Sequence, residues 1–237
     1  IHTSEDLEPG SLLTLQDASA HYLARVLRAN IGQTVVLFNG DGRDYVCEIV
    51  GITGKSVSLR ADTRLPARSE SPLQISVVQA ISRGERFDAT LQKCTELGAV
   101  AFQPLITART EVRIRPEKLE RRMQHWQSVI VSACEQSGRA ILPRLAKPRT
   151  VNQWIAHPPA AESIILDPTS AVPLARHIFG SELQLLIGPE GGFTDMEIQQ
   201  LVDAGAQAVS LGPRILRTET AGPAAMAVLQ ALAGDLA

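Results

Sequence analysis

Two bends in the last third of the chain bring together residue types from which a binding site can be built. In Gly188-Pro189-Glu190-Gly191-Gly192, three glycines allow backbone conformations that other residues avoid and let a ligand approach closely. In the second bend, Leu211-Gly212-Pro213 leads to Leu216 and then to Arg217-Thr218-Glu219-Thr220, a cation, a carboxylate and two hydroxyls. Such a site has few titratable groups. It suits a ligand recognised through backbone amides and carbonyls between apolar walls. The first bend alone reads as a tight turn, but two in succession, the second with its polar patch, point to a pocket.

Each bend leaves an apolar run and enters a helix. Leu183–Ile187 is hydrophobic on both faces and reads as a buried strand. Thr194 and Glu197 form a capping-box pattern, so a helix starts there. Ala208–Leu211 predicts a second strand, and Ala221–Leu232 an apolar helix suited to an interchain interface or to the core. Upstream, strands at Leu73–Ala80, Val100–Ile106 and Ser163–Leu166 alternate with helices at Arg86–Leu97, Pro116–Gln136 and around Val151–Ala156. That alternation implies an α/β domain with a mostly parallel sheet, in which ligands sit at the carboxyl ends of strands. Met123, Trp126, Ile130 and Ala133 repeat at helical spacing and are core candidates.

The polar, proline-bracketed stretch Leu65–Pro72 marks a boundary, giving domains of 1–68 and 73–237. The first is β-rich, with strands at Thr34–Phe38, Arg43–Ile52 and Val57–Arg60 around the hairpin residues Asn39–Gly42. Between its first strand and this meander, His21–Arg28 predicts a short helix. Tyr22, Leu23, Val26 and Leu27 share one face, opposite His21, Arg25 and Arg28. Those three groups suit phosphate, or an ordinary solvated surface.

The chain of 237 residues is 44% hydrophobic and 20% charged, ordinary for a globular protein with a real core. No apolar run reaches membrane-spanning length, and no signal segment opens the sequence. Three dispersed cysteines among apolar neighbours read as reduced, buried thiols, which fits a cytoplasmic location. Net charge is −2, yet it divides as −2 over residues 1–72, +6 over 73–150 and −6 over 151–237. A basic middle suits a polyanion on one surface. No G-x-G-x-x-G follows the first strand of the α/β part, the glycine-rich bend carries no G-K-[ST], and H-E-x-x-H, paired C-x-x-C and G-x-S-x-G are missing. Dinucleotide, nucleoside-triphosphate, zinc and serine-hydrolase readings therefore fall away.

LLIGPEGGFTDMEI and LGPRILRTETA resemble the two C-terminal motifs of SPOUT methyltransferases, most closely the RsmE family that methylates uridine N3 in bacterial small-subunit rRNA. His21–Arg28 resembles that family's HxxRVLR segment, Gln92–Gly98 its K-x-x-E-L-G helix end, and Ala133–Arg139 its ACEQSGR. The resemblance runs along nearly the whole chain in order. The Arg-rich segment with which the family usually opens has no match in these residues.

The resemblance implies a PUA-like β-barrel domain that binds RNA, and a SPOUT domain with a deep trefoil knot that forms a homodimer and needs no metal. It implies that S-adenosylmethionine lies against the knotted loops, held by Leu166, Ile187, Gly188, Pro189, Gly191, Gly192, Leu211, Gly212, Leu216 and Thr218. Methylating N3 requires the N3 proton to leave or its anion to be stabilised. Arg217 is the candidate for the uracil oxygens and Glu219 or Glu190 for the proton, although Arg217 and Glu219 could simply pair with each other. His21, Arg25, Arg28, Arg109, Arg113, Arg115 and Arg139 are the candidate RNA contacts, with small-subunit rRNA as partner. Methylation of a ribose 2′-oxygen or of tRNA, or a non-catalytic rRNA-binding assembly role, are the alternatives.

Overall fold

The structure is a computed structural model and describes residues 1–158 and 160–236. The chain divides into two compact units, Ile1–Ser69 with Cys134–Leu142, and Glu70–Ala133 with Pro143–Ala237.

The first unit is a four-stranded antiparallel sheet in the order β1 (Leu12–Gln16), β4 (Ser56–Arg64), β3 (Tyr45–Ile52), β2 (Thr34–Leu37). Burial alternates along β1, so Leu13 and Leu15 face inward opposite Leu59 and Val57. They join Leu23, Leu37, Cys47, Ile49 and Ala61 in one core. Burial pushes the Cys47 thiol up to about 11, so it stays protonated.

The helix expected over His21–Arg28 has a different form. α1 (Asp17–His21) passes into a π-helical turn over Tyr22–Val26, in which the Leu27 N–H donates to the Tyr22 carbonyl at 2.9 Å. The wider turn breaks the 3.6-residue spacing. Leu23 is therefore buried, while Tyr22, Val26 and Leu27 stand exposed beside His21, Arg25 and Arg28 instead of opposite them. Arg28 ends the turn in the left-handed region at φ 51°, which non-glycine residues seldom enter.

The second unit holds an all-parallel sheet in the order β11 (Gln207–Val209), β9 (Glu162–Leu166), β10 (Glu182–Ile187), β5 (Gln74–Ala80), β6 (Ala99–Ile106), β7 (Arg144–Leu145), with β8 (Arg149–Thr150) also on β6. The expected parallel α/β sheet is present. Its path runs outward from β5, jumps to β9, then places β10 between β9 and β5. The carboxyl ends of β5, β9 and β10 thus lie side by side where the strand order reverses.

On one face, α4 (Val151–Ile155) and α5 (Asp195–Asp203) cover Val78, Leu105, Ile165 and Leu186. Elsewhere in this unit Trp126 of α3 (Pro116–Ser137) packs on Phe87 of α2 (Arg86–Glu96), ring centroids 4.6 Å apart. α6 (Thr218–Ala233) lies so close to its neighbours that a Cβ on Gly222 would sit 3.0 Å from Ile187 Cδ1 and 3.4 Å from Thr90. Its Ala225, Met226, Leu229 and Gln230 are buried, so one face of this apolar helix belongs to the chain's own core. Gln230 fastens the far end by accepting from the Ser71 hydroxyl at 2.6 Å and donating to the Leu97 carbonyl at 3.0 Å.

One stretch expected within the 73–237 domain groups instead with the first unit. α3 stops where Gly138 takes φ 75° and its N–H and that of Arg139 both return to the Cys134 carbonyl. Residues 134–142 then pack on the hairpin. Ala140 accepts from the Gly42 N–H, and Leu142 and Ile141 fill the space left at Gly40 and Gly42.

Candidate active site

The site is built on the exits of β5, β9, β10 and β11. After Ile187 the chain folds back on itself, with the Gly192 N–H on the Pro189 carbonyl at 2.8 Å. Gly188 is enclosed by this turn: a Cβ there would meet Phe193 N at 3.0 Å and Gly192 C at 3.1 Å, so only glycine fits. The expected capping box then starts α5, with the Thr194 hydroxyl accepting from the Glu197 N–H and Glu197 Oε2 accepting from the Thr194 N–H. The other oxygen of Glu197 accepts from the Ala108 N–H at 2.7 Å, tying the loop after β6 to the first bend.

The second bend meets the first at Thr218. Its hydroxyl donates to the Gly188 carbonyl at 2.8 Å and accepts from Gln79 Nε2 at 2.8 Å. Of the residues expected to hold the ligand, Leu166, Gly188, Gly192, Leu211 and Leu216 are half-buried, Pro189 and Thr218 are buried, and Gly191 and Gly212 are exposed. Ile187 differs from the wall residue expected, because its side chain is buried against Gly222 and only its backbone remains for a ligand.

Three charged candidates stand in different states. Arg217 opens α6 exposed, and among the described residues its side chain has no hydrogen bond or ion pair. It does not pair with Glu219. Glu219 Oε1 lies 3.8 Å from Arg86 Nε, and its Oε2 is buried with no hydrogen-bond partner. Glu190 Oε1 accepts from the Arg83 N–H at 3.0 Å and from Arg86 Nη1 at 2.8 Å. Burial alone would raise the Glu190 carboxyl, but those bonds outweigh it and hold it below the usual carboxylate range. A carboxylate so committed makes a poor proton acceptor, and Glu190 serves as an anchor for the bend.

Arg109, read from the sequence as part of an RNA-facing run, is also committed. Its guanidinium donates to the carbonyls of Gly191 at 2.7 Å and Phe193 at 3.2 Å, and its stem lies 3.3 Å from where a Gly191 Cβ would be. Arg113 and Arg115 are exposed in the same unit, whereas exposed His21, Arg25 and Arg28 and half-buried Arg139 belong to the first. Sequence reasoning passed over Arg86 and Gln79, and read Glu197 as a capping residue without its bond to Ala108. For Arg86 there was a signal: Arg83-Gly84-Glu85-Arg86 occupies a third strand-to-helix exit.

An RNA methyltransferase domain model matches residues 69–230, and an RNA methyltransferase PUA domain model matches 15–62. The ribosomal RNA small subunit methyltransferase E of Synechocystis is 36% identical over 93% of this chain and 73% of its own length. The Buchnera aphidicola protein of that name is 31% identical over 99% of this chain and 94% of its own. The chain belongs to the ribosomal RNA small subunit methyltransferase E family. Two solved structures agree with that membership. A Legionella pneumophila methyltransferase in complex with SAM superposes with a TM-score of 0.93 at 39% identity, covering 100% of this chain and 98% of that one. The Neisseria gonorrhoeae methyltransferase E bound to S-adenosyl methionine gives 0.92 at 35%, with the same coverage. Both bends, Arg86 and the Thr218 junction fall inside the methyltransferase match. Among the described residues no helix is long and apolar enough to cross a membrane, and no group of three or more His, Cys, Asp or Glu could hold a metal ion.

Proposed function

We propose that this protein binds S-adenosylmethionine between its two bends and transfers a methyl group to N3 of a uridine in small-subunit ribosomal RNA. The observation that supports this most is the 2.8 Å bond from Thr218 to the Gly188 carbonyl, which joins two glycine-bearing loops into one backbone-lined site. The residues fit the cofactor. Amides and carbonyls of Gly188–Gly192 and Leu211–Thr218 suit an adenine edge and ribose, Leu166, Leu211 and Leu216 suit its apolar faces, and the Glu219 carboxylate suits a cationic sulfonium. When bound, S-adenosylmethionine supplies a methyl group activated by positively charged sulfur.

The remaining chemistry falls to side chains. A uracil N3–H is weakly acidic, and the nitrogen lone pair is spread over the ring. Glu219 Oε2, buried and unpartnered, accepts the N3 proton. Arg217, uncommitted at the start of α6, neutralises charge developing on the uracil oxygens. The N3–carbon bond forms as the carbon–sulfur bond breaks, and S-adenosylhomocysteine leaves. Holding donor and acceptor in line supplies about 7–11 kcal/mol of the barrier reduction. Arg86, Glu190 and Arg109 keep the first bend closed.

In this reading the second unit threads a deep trefoil knot around the two bends and pairs with a second copy, and the first unit closes as a PUA-like barrel. His21, Arg25, Arg28, Arg113, Arg115 and Arg139 meet RNA phosphates in the cytoplasm, with the target base unstacked. Nucleoside mass spectrometry of rRNA from cells lacking the protein tests the proposal. N3-methyluridine disappears, returns with the wild-type chain, and does not return with Arg217→Ala. Loss of a 2′-O-methyl nucleoside instead would move the activity to ribose, and unchanged rRNA without calorimetric cofactor binding would favour a non-catalytic binder.

A further inference from the structure

Gln79 lies near the carboxyl end of β5, beside the site and without any expected role. It is 1% exposed, and in register it faces Ile187 of β10 on one side and Pro104 of β6 on the other. Its Nε2 donates to the Thr218 hydroxyl at 2.8 Å and to the Ala80 carbonyl at 3.1 Å, which uses both of its protons. Its Oε1 is buried with no hydrogen-bond partner.

A threonine hydroxyl has one proton. Thr218 gives that proton to the Gly188 carbonyl and must therefore accept from Gln79. The chain Gln79 Nε2–H to Thr218 Oγ1–H to Gly188 carbonyl can run in one direction only. A buried amide oxygen without a donor is unfavourable by itself. The orphan oxygen offsets what the two donated bonds contribute to fold stability, so an amide holds little stability advantage here over an apolar chain of the same length. What the amide does supply is a donor that orients the Thr218 hydroxyl.

We infer that Gln79 is a positioning residue for the methyl-donor site, acting through Thr218 to hold the Gly188 bend in its binding conformation. The inference rests on the cofactor-site reading above. Calorimetric titration of the full chain with S-adenosylmethionine tests it, together with thermal melting. Gln79→Met removes the donor and the orphan oxygen together. It should weaken cofactor binding by about tenfold, the loss of one buried hydrogen bond, while the melting temperature holds or rises. At saturating cofactor kcat should stay within about threefold of wild type, so the effect appears in KM. Gln79→Glu puts a carboxylate against the Ala80 carbonyl and draws the Thr218 proton away from Gly188, so it should weaken binding more. In a Thr218→Val background Gln79→Met should add almost nothing, because the two act as one unit.

Wild type that binds while Gln79→Met binds equally well, or additive losses in the double variant, would overturn the inference and leave the site reading intact. A melting temperature that falls in step with affinity would assign Gln79 to structure alone. Wild type with no cofactor binding would overturn the site reading itself.

Discussion

Replacing Gly188 with alanine is the most direct perturbation of the first bend. The added methyl would lie 3.0 Å from Phe193 N, 3.1 Å from Gly192 C and 3.2 Å from Gly192 Cα. All three are backbone atoms, so no rotamer change relieves the contact, and optimal separations for such atoms are about 3.5–4.0 Å. The turn must open by roughly half an ångström, at an overpacking cost of about 1–3 kcal/mol. Opening also draws the Gly188 carbonyl from the Thr218 hydroxyl, about 1 kcal/mol more. The strain of about 2–4 kcal/mol sits where the cofactor is proposed to bind, and each 1.4 kcal/mol is tenfold in affinity. Calorimetric affinity for S-adenosylmethionine should therefore fall by about 30-fold to 1,000-fold. Gly180→Ala is the control, since a Cβ there meets nothing within 4 Å. Gly188→Ala that keeps its fold and binds within about threefold of wild type would refute the argument.

Three further outcomes follow from the same geometry. Arg109→Ala should weaken cofactor binding about fivefold in the absence of RNA, because its guanidinium braces the Gly191 and Phe193 carbonyls; a defect confined to RNA binding would restore the sequence-based role. Glu219→Gln should lower kcat by about 10²–10⁴, with a much smaller loss of cofactor affinity from the missing charge beside the sulfonium, as single-turnover methylation with calorimetry can check. Glu190 is held below the ordinary 4.5 when folded, so its contribution is present above that value and lost as pH falls through it towards the depressed one. The melting-temperature gap between wild type and Glu190→Gln should accordingly be widest near neutrality and close in acid.

What could be read from the sequence is what neighbouring residues decide. Thr194 and Glu197 announce their capping box because its two bonds span three residues, and Leu183–Ile187 announces a buried strand because both faces are apolar. The π-helical turn at Tyr22 was hidden, because the same side chains satisfy the 3.6-residue pattern on paper. The commitments of charged groups were hidden for another reason. Arg86 meets Glu190 across 104 residues, Gln79 meets Thr218 across 139, and Arg109 meets Gly191 across 82. Residue type cannot say whether an arginine faces a phosphate or a carbonyl of its own chain, and that choice separates the expected role of Arg109 from the observed one.

The placement of β10 between β9 and β5 also bears on how the chain is made. During synthesis β5 and β6 leave the ribosome and can pair long before residues 182–187 exist, so one edge of β5 waits unpaired. An open, apolar parallel edge invites intermolecular pairing, and contacts over such sequence distance form slowly. A nascent chain ending before Glu182 should therefore be aggregation-prone and dependent on chaperones, and production at low temperature with slowed translation should recover more native protein.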